Sequence, residues 1–169
     1  MHLDLAAWLN LVSTLAIVGA LIFTGLQVRA ANMARRDQAA LELIRTSLSE
    51  NSARVLELLT RIPENAPATV IAGLPAEEQS QIVEYGIRFE VTGYMVFRGL
   101  LDLKTVDDLA GGAILAYWNR ARAWAEKRRS EAGYHEFLEW CEWVAARLSE
   151  RRATRAYVPA YKQHAAWRE

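Results

Sequence analysis

The sequence predicts an all-α protein in which one N-terminal transmembrane helix continues into a bundle of about four helices. Three observations predict this fold class. No charged residue occurs between Leu5 and Val28. Beyond that run, apolar residues recur at alternating spacings of three and four, and strand-like alternation is nearly absent. The 9 glycines and 4 prolines lie mostly where helices are expected to end.

The composition bounds the class of protein. A chain of 169 residues suits one domain with an appendage, and 52% hydrophobic and 24% charged content exclude a disordered tail and a multi-span transporter. The 20 basic side chains are balanced by 20 acidic ones, which excludes a nucleic-acid binder with a net basic face. The single cysteine, Cys141, cannot form an internal disulfide and fits a reducing compartment.

The run from Leu5 to Val28 predicts a membrane anchor, because a bilayer core needs roughly 20 apolar residues in helical form. Trp8 lies near one end, where an indole prefers the headgroup region. A signal peptide and a buried core helix are the alternatives. The run is long for a signal peptide, and Asp4 stands where such a peptide carries basic residues.

The charges that flank this run predict its orientation. Arg29, Arg35 and Arg36 follow it, whereas only His2, Asp4 and the free amine precede it. The positive-inside rule therefore places the N-terminus outside and the rest of the chain in the cytoplasm. The expected location is the inner (cytoplasmic) membrane.

Small residues form a stripe on the predicted anchor. Ala16, Ala20 and Thr24 follow one another at i, i+4 and i+8. Such stripes let helix backbones approach closely in lipid, so this face is the predicted contact with a partner helix. The alternative is an ordinary anchor whose whole circumference faces lipid.

The region behind the anchor, from Asn32 to about Ile62, predicts a long amphipathic helix that continues the membrane helix. Its apolar seam consists of Leu41, Ile44, Leu48, Val55, Leu58 and Ile62. One interpretation is a parallel coiled-coil dimer with Asn51 setting the register, and the other is packing on later helices of the same chain. The charged flanking positions are all basic and would repel in a parallel dimer, which favours packing within the chain.

Three further helices complete the predicted bundle. After a connection from Pro63 to Pro75, the second helix runs to about Arg98 with Gly99 as its stop. The third runs to about Arg128 from a capping box formed by Thr105 and Asp108, and the last spans about Tyr134 to Arg152. The predicted inner residues of the second and last helices are Ile82, Tyr85, Phe89, Met95, Phe137, Cys141, Val144 and Leu148.

These elements define three predicted regions. Residues 1–31 form the transmembrane anchor, residues 32–152 the cytoplasmic helical bundle, and residues 153–169 a C-terminal tail.

Three segments carry a resemblance: the anchor running into VRAANMARRDQAAL, the helix with RFEVTGYMVFRGLLD, and the Trp-bearing segment AYWNRARAW. In these segments the chain resembles an uncharacterised bacterial family of single-pass membrane-anchored helical proteins. The resemblance covers most of the chain and implies the architecture just described. It implies no activity.

No group of side chains predicts catalysis. Glu131, His135 and Glu139 would share one helical stripe, but their spacing lacks the paired ligands of known helical metal motifs, which favours a solvated face. Cys141 is expected to be a small buried hydrophobe. We therefore predict no catalytic residue, no cofactor and no metal site.

Two carboxylates lie among apolar neighbours on the predicted second helix. Glu84 and Glu90 are six residues apart, which puts them on different faces of one helix. Glu90 is expected to pair with an Arg of the third helix, such as Arg120 or Arg122.

The six tryptophans and the aromatic-basic tail favour a non-enzymatic interaction or scaffold protein, including an accessory subunit of a larger membrane complex. Trp118, Trp124, Trp140 and Trp143 are expected to fill the core or to face a partner. In the tail, Tyr161 and Trp167 are the predicted partner contacts, with Tyr157 nearby; folding back on the domain is the alternative.

The expected partners are the lipid bilayer and a membrane protein or a second copy of the chain, without nucleic acid. Two other functions stay open at this point. One is a ligand-binding or enzymatic bundle with a polar pocket around Glu90 and Tyr94, and the other is a membrane-bound sensor or effector.

Overall fold

The computed structural model describes residues 5–47, 50–131, 133–154, 158 and 160–168, and confirms the all-α fold class. Side chains are described from residue 8 onward, except at 36, 37 and 39–52. Within these residues every regular element is a helix. The helices are α1 (Leu5–Ser47), α2 (Glu50–Thr60), α3 (Ala68–Ala72), α4 (Ala76–Phe97), α5 (Leu103–Arg129), α6 (Glu139–Thr154) and α7 (Ala160–Gln163).

The chain divides into two compact units, Met1–Ala39 and Ala40–Glu169. In the first unit, the segment Trp8–Arg35 of α1 is long and apolar enough to cross a membrane by length and composition. The hydroxyls of Thr14 and Thr24 donate to the carbonyls of Asn10 and Ala20, each at 2.8 Å. The helix therefore satisfies these polar groups within itself, as a lipid environment requires.

The second unit is a helical bundle, in which α4, α5 and α6 pack on one another and α2 packs on α4. Its largest fully buried side chains include Trp124, Tyr117, Ile71, Ile82, Ile114 and Leu148. Val55, Leu58 and Ile62 from the predicted seam are buried in this unit, which agrees with packing within the chain. The side chains of Leu41 and Ile44, and all of Leu48, lie outside the described residues.

The connection from Pro63 to Pro75 contains a helical turn, α3, that the sequence pattern did not indicate. Pro67, with ψ 152°, and Pro75, with ψ 147°, are the N-caps of α3 and α4. The Gln79 side-chain amide donates to the carbonyls of Ala72 at 3.2 Å and Leu74 at 2.8 Å. Gln79 thereby satisfies carbonyls that would otherwise be orphaned at the end of α3.

The two ends of the α4–α5 connection differ in how well the sequence indicated them. Gly99 has φ +66° and stops α4 as predicted, with hydrogen bonds from Gly99 to Val96 and from Leu100 to Met95 that form a Schellman motif. The predicted Thr105 capping box is wrong. The N-cap of α5 is Asp102, whose carboxylate accepts from the Thr105 backbone N–H at 3.3 Å.

The last main helix begins at Glu139, five residues later than the predicted Tyr134. Gly133 has φ +89° and Leu138 has φ +57°, so the backbone between them cannot continue a right-handed helix. Leu138 is nevertheless buried, and Arg129 donates to its carbonyl at 3.0 Å and to that of Phe137 at 2.7 Å. These contacts hold the left-handed residue in place.

Candidate functional site

A carboxylate from α4 caps the N-terminus of α6. Glu90 accepts a hydrogen bond from the backbone N–H of Cys141 at 2.8 Å and a further one from the N–H of Trp140. These are among the first N–H groups of α6, which have no partner within their own helix. Leu138, the residue before α6, has no polar side chain to serve as a local cap. The bundle thus supplies from α4 the acceptor that the local sequence lacks.

Burial dominates the electrostatics of this carboxylate. Desolvation raises the pKa of Glu90, whereas the hydrogen bonds from Cys141 and Trp140 lower it; Glu139 raises it further and Arg129 opposes that effect. The predicted ion pair with Arg120 or Arg122 is wrong. Arg120 bonds the carbonyl of Ile62 and pairs with Glu64, and Arg122 pairs with Glu126 on its own helix.

Two glycines of α4 allow close approaches by other elements: Gly93 by α6, and Gly86 by Tyr117 of α5 and by Leu138 before α6. A Cβ at residue 93 would lie 2.2 Å from the carbonyl oxygen of Trp140, and one at residue 86 would lie 2.1 Å from the Tyr117 hydroxyl. Gly86, Glu90 and Gly93 follow at spacings of four and three and so share one face of α4. This face fixes the position of the first turn of α6.

The same approach assembles four aromatic rings at the surface, which we call the aromatic cluster: Tyr94, Phe97, Trp140 and Trp143. The ring centroids of Phe97 and Trp140 are 4.7 Å apart, and those of Tyr94 and Trp140 are 5.6 Å apart. Trp143 completes the cluster at 6.0 Å from Phe97 and 6.1 Å from Trp140. Edge and tilted contacts of this kind stabilise an aromatic group beyond the area that it buries.

The aromatic cluster is accessible from outside the bundle. Tyr94 is 43% exposed and Phe97 is 56% exposed, while Trp140 and Trp143 are half-buried. Arg98 adds a cation at the rim, because its guanidinium donates to the Tyr94 hydroxyl at 3.2 Å. Tyr, Trp and Arg are the residue types that most often dominate the binding energy of protein interfaces.

Two buried titratable groups of the bundle, Cys141 and Tyr117, stay protonated and unreactive at neutral pH. The Cys141 thiol is fully buried, and burial raises its pKa well above the usual range, with Glu90 adding to the effect. A thiol in this state is a poor nucleophile at neutral pH, in agreement with its prediction as a buried hydrophobe. The Tyr117 hydroxyl donates to the carbonyl of Ile82 at 3.1 Å, and burial raises its pKa well above the usual range.

The predicted membrane and partner residues lie on two helices and the chain end. Trp8, Ala16, Ala20, Thr24, Arg29 and Arg35 are exposed on α1, whereas the side chain of Arg36 lies outside the described residues. Tyr161, on α7, and Trp167, after it, are both exposed; Tyr157 lies outside the described residues. The rings of Tyr161 and Trp167 are therefore not buried against the bundle.

The predicted stripe of Glu131, His135 and Glu139 does not form. His135 lies in a turn between α5 and α6, and only Glu139 belongs to α6. Without a continuous helix, the i, i+4, i+8 spacing places these three side chains on no common face.

Sequence reasoning missed the aromatic cluster as a unit, although it named three of its members in other roles. Tyr94 and Phe97 are three apart on α4, outside the inner seam of Ile82, Tyr85 and Phe89. Trp140 and Trp143 are likewise three apart and flank the buried Cys141 on α6. Two aromatic pairs of this kind, each beside the inner seam of its helix, were the signal in the sequence that could have indicated the aromatic cluster. The pairing of one with the other required the tertiary structure.

One family model matches the chain, over residues 11–148, and its description is "Domain of unknown function (DUF4760)". No curated protein and no solved structure matches the chain. The matched range includes most of the apolar segment of α1 and all of the aromatic cluster, but it ends before α7 and Trp167. Since the match covers well over half of the chain, the chain belongs to the DUF4760 family, a family of unknown function.

Proposed function

We propose that this protein is a membrane-anchored interaction protein whose helical domain contacts a partner protein through the aromatic cluster. The observation that carries the proposal is the cluster itself, four rings gathered at a surface and rimmed by Arg98. A surface of exposed Phe and Tyr beside half-buried Trp has the composition of a binding hot spot. Covering the exposed 56% of Phe97 would stabilise a complex by about 0.8–1.7 kcal/mol.

The proposed anchor is the apolar segment of α1. Its large side chains, from Trp8 to Met33, are exposed, and water is an unfavourable environment for so many of them in succession. Insertion into a bilayer would cover them while the helix satisfies its own backbone. A cleaved signal sequence is the competing explanation, and the membrane experiment described below separates the two.

We further propose a single-pass protein of the bacterial inner membrane with its N-terminus outside and its domain in the cytoplasm. Arg29, Arg35 and Arg36 support this orientation through the positive-inside rule. An anchor confines the domain to two dimensions and raises its effective concentration near a membrane partner, so a modest aromatic contact suffices. An accessory subunit of a larger membrane complex fits these properties.

The finer contacts that we propose lie in the anchor and in the tail. The stripe of Ala16, Ala20 and Thr24 would face a partner helix, because small side chains permit close approach in lipid. Tyr161 and Trp167 are exposed and would add to the contact from the tail. Replacing both Ala16 and Ala20 by Leu is expected to weaken the complex while the protein stays in the membrane, and Trp167→Ala to weaken it by about 1–3 kcal/mol.

The experiment that tests the main proposal uses the full chain in its native membrane. A photo-crosslinking amino acid is placed at Phe97, and in a control variant at Arg122, an exposed residue of α5 that pairs with Glu126. We expect one crosslinked species from position 97, of defined mass, that position 122 does not give. Mass spectrometry then distinguishes a second copy of this chain from another membrane protein.

A second pair of variants ties the crosslink to the cluster. Trp143→Ala should reduce the yield from position 97, whereas Leu109→Ala, an exposed apolar change on α5, should not. If position 97 gives no species beyond those seen from position 122, the proposed contact is wrong.

A further inference from the structure

A groove lies between α4 and α5, apart from the aromatic cluster. Its volume is about 410 Å³, within the range of small-molecule sites. Val83 and Ile87 of α4 supply apolar walls, Trp124 of α5 lines the groove although it is only 2% exposed, and Ser80 lies on the rim. The one basic side chain among the lining residues is Arg128.

Arg128 is held in place by aromatic rings. Its guanidinium carbon lies 4.4 Å from the ring centroid of Tyr134, 5.7 Å from that of Trp124 and 5.8 Å from that of Phe137. Cation–π contacts with three rings fix the orientation of the group while leaving its N–H donors unused. The side chain as a whole is 27% exposed.

The Arg128 side chain donates no hydrogen bond to any of the described residues. Its Nε is buried without an acceptor, and the nearest carboxylate oxygen, from Glu131, is 3.6 Å away, too far for a hydrogen bond. The neighbouring Arg129 is different, because it donates to the carbonyls of Phe137 and Leu138 and to the Glu142 carboxylate. Arg128 is thus a pre-oriented cation that forms an ion pair with Glu131 but donates no hydrogen bond to any described residue.

The acidic residue that lines the groove is already engaged. Glu84 accepts a hydrogen bond from Arg88 at 2.8 Å, and this ion pair lies on α4 itself. Glu131 lowers the net positive charge near Arg128 but does not satisfy its donors. An incoming anion would gain charge-assisted hydrogen bonds that no described group now makes.

We propose that this groove binds a free amphipathic anion, with a carboxylate accepting hydrogen bonds from Arg128 and an apolar body lying against Val83 and Ile87. A medium-chain carboxylic acid has both parts. The apolar walls would cover its chain, and the guanidinium would hold its head in a bidentate arrangement. This ligand site is separate from the proposed partner contact and does not depend on it.

The test measures octanoate binding to the full chain in phosphatidylcholine nanodiscs by saturation-transfer NMR, with empty nanodiscs as background. Octanamide keeps the chain without the charge, and acetate keeps the charge without the chain. The variants are Arg128→Gln, which removes the cation, and Ser80→Phe, which fills the groove from an exposed rim position. The matched control is Arg122→Gln, an exposed arginine on the same helix.

We expect octanoate to bind at least about tenfold more tightly than octanamide and than acetate, because hydrogen bonds to a charged group contribute that much. Arg128→Gln should reduce octanoate affinity by a similar factor, Ser80→Phe should abolish it, and Arg122→Gln should leave it unchanged. Equal binding of octanoate and octanamide would overturn the proposal. So would octanoate binding that survives Ser80→Phe, a change that leaves the buried packing of Arg128 in place.

Discussion

Gly93 of α4 lies against the backbone of Trp140, so close that a Cβ at residue 93 would be 2.2 Å from the Trp140 carbonyl oxygen. The obstacle is backbone at the start of α6, which cannot rotate away as a flexible side chain would. This approach brings the ring of Trp140 into contact with Tyr94 and Phe97. It also brings the backbone N–H of Trp140 to the Glu90 carboxylate. Both the aromatic cluster and the cap of α6 therefore depend on a residue without a side chain.

Gly93→Ala is accordingly expected to destabilise the bundle by about 1–3 kcal/mol, the usual cost of overpacking. The measurement is the free energy of unfolding of the full chain in detergent, followed by the near-ultraviolet circular dichroism of its tryptophans. The control is Gly112→Ala on α5, where a Cβ would meet nothing within 4 Å. That change should stabilise by about 0.5–1 kcal/mol through helix propensity. Equal effects of the two substitutions would contradict the importance of the Gly93 contact.

The stability of the bundle should depend on pH through Glu90. Its pKa in the folded state is raised above the ordinary value of 4.5, chiefly by burial. The contribution of Glu90 to stability is therefore fully present below pH 4.5 and is lost as pH rises through the raised folded pKa. Between neutral pH and pH 4.5, acidification should stabilise the parent protein relative to Glu90→Gln.

Unfolding curves of the parent and Glu90→Gln at a series of pH values measure this difference. A carbon NMR titration of the Glu90 carboxyl, assigned by its absence from the Glu90→Gln spectrum, gives the folded pKa directly. A pKa at or below 4.5 would contradict the prediction.

Asp107 joins α5 to α6, and its loss should separate them. Its carboxylate accepts from Arg151 at 3.2 Å and from Arg152 at 2.8 Å, and its side chain is only 15% exposed. Asp107→Asn is expected to cost about 1–2 kcal/mol of unfolding free energy, between the values for exposed and buried pairs. The neighbouring Asp108→Asn breaks an exposed pair with Lys104 and should cost less than about 0.5 kcal/mol. A cost for Asp107→Asn as small as that of its neighbour would count against this role.

The intact chain is expected in membranes after a carbonate wash, because α1 carries a continuous apolar surface. Replacing Ile17 and Leu21 by Arg should release protein into the soluble fraction, since each arginine costs about 2.5–3.5 kcal/mol at the centre of a bilayer. Ile17→Val with Leu21→Ile is the control and should leave the distribution unchanged. Uncleaved parent protein found wholly in the soluble fraction would refute the anchor, and a shortened chain would indicate a signal sequence instead.

The orientation of the anchor is tested in a bacterial host by reporters fused to the C-terminus. Because Arg29, Arg35 and Arg36 follow the apolar run, a reporter active only in the cytoplasm should be active. A reporter active only in the periplasm should be silent. Replacing all three arginines by Gln should make the orientation mixed. Activity confined to the periplasmic reporter would reverse the proposed topology.

The sequence by itself determined the local features, which depend only on residues close to one another along the chain. The spacing of Ile82, Tyr85 and Phe89 predicted a buried helix face, and Gly99 predicted the end of α4, because periodicity and a left-handed glycine act within a few residues. The uncharged run from Leu5 to Val28 likewise predicted a helix that, among the described residues, is long and apolar enough to cross a membrane.

Only the tertiary structure decided how these pieces meet. Leu138 adopts a left-handed conformation because Arg129, on another helix, binds the carbonyls beside it, and this moves the start of α6 past His135. Glu90 caps α6 from α4 instead of pairing with an arginine, because burial favours two backbone N–H groups already fixed in place. Glu90 binds an N–H group of α6, Trp140 contacts Tyr94 and Phe97 of α4, and Arg128 lies on Tyr134 and Phe137 of the turn before α6. The physical reason is that a side chain finds its partner by proximity in space, which spacing along one helix does not encode.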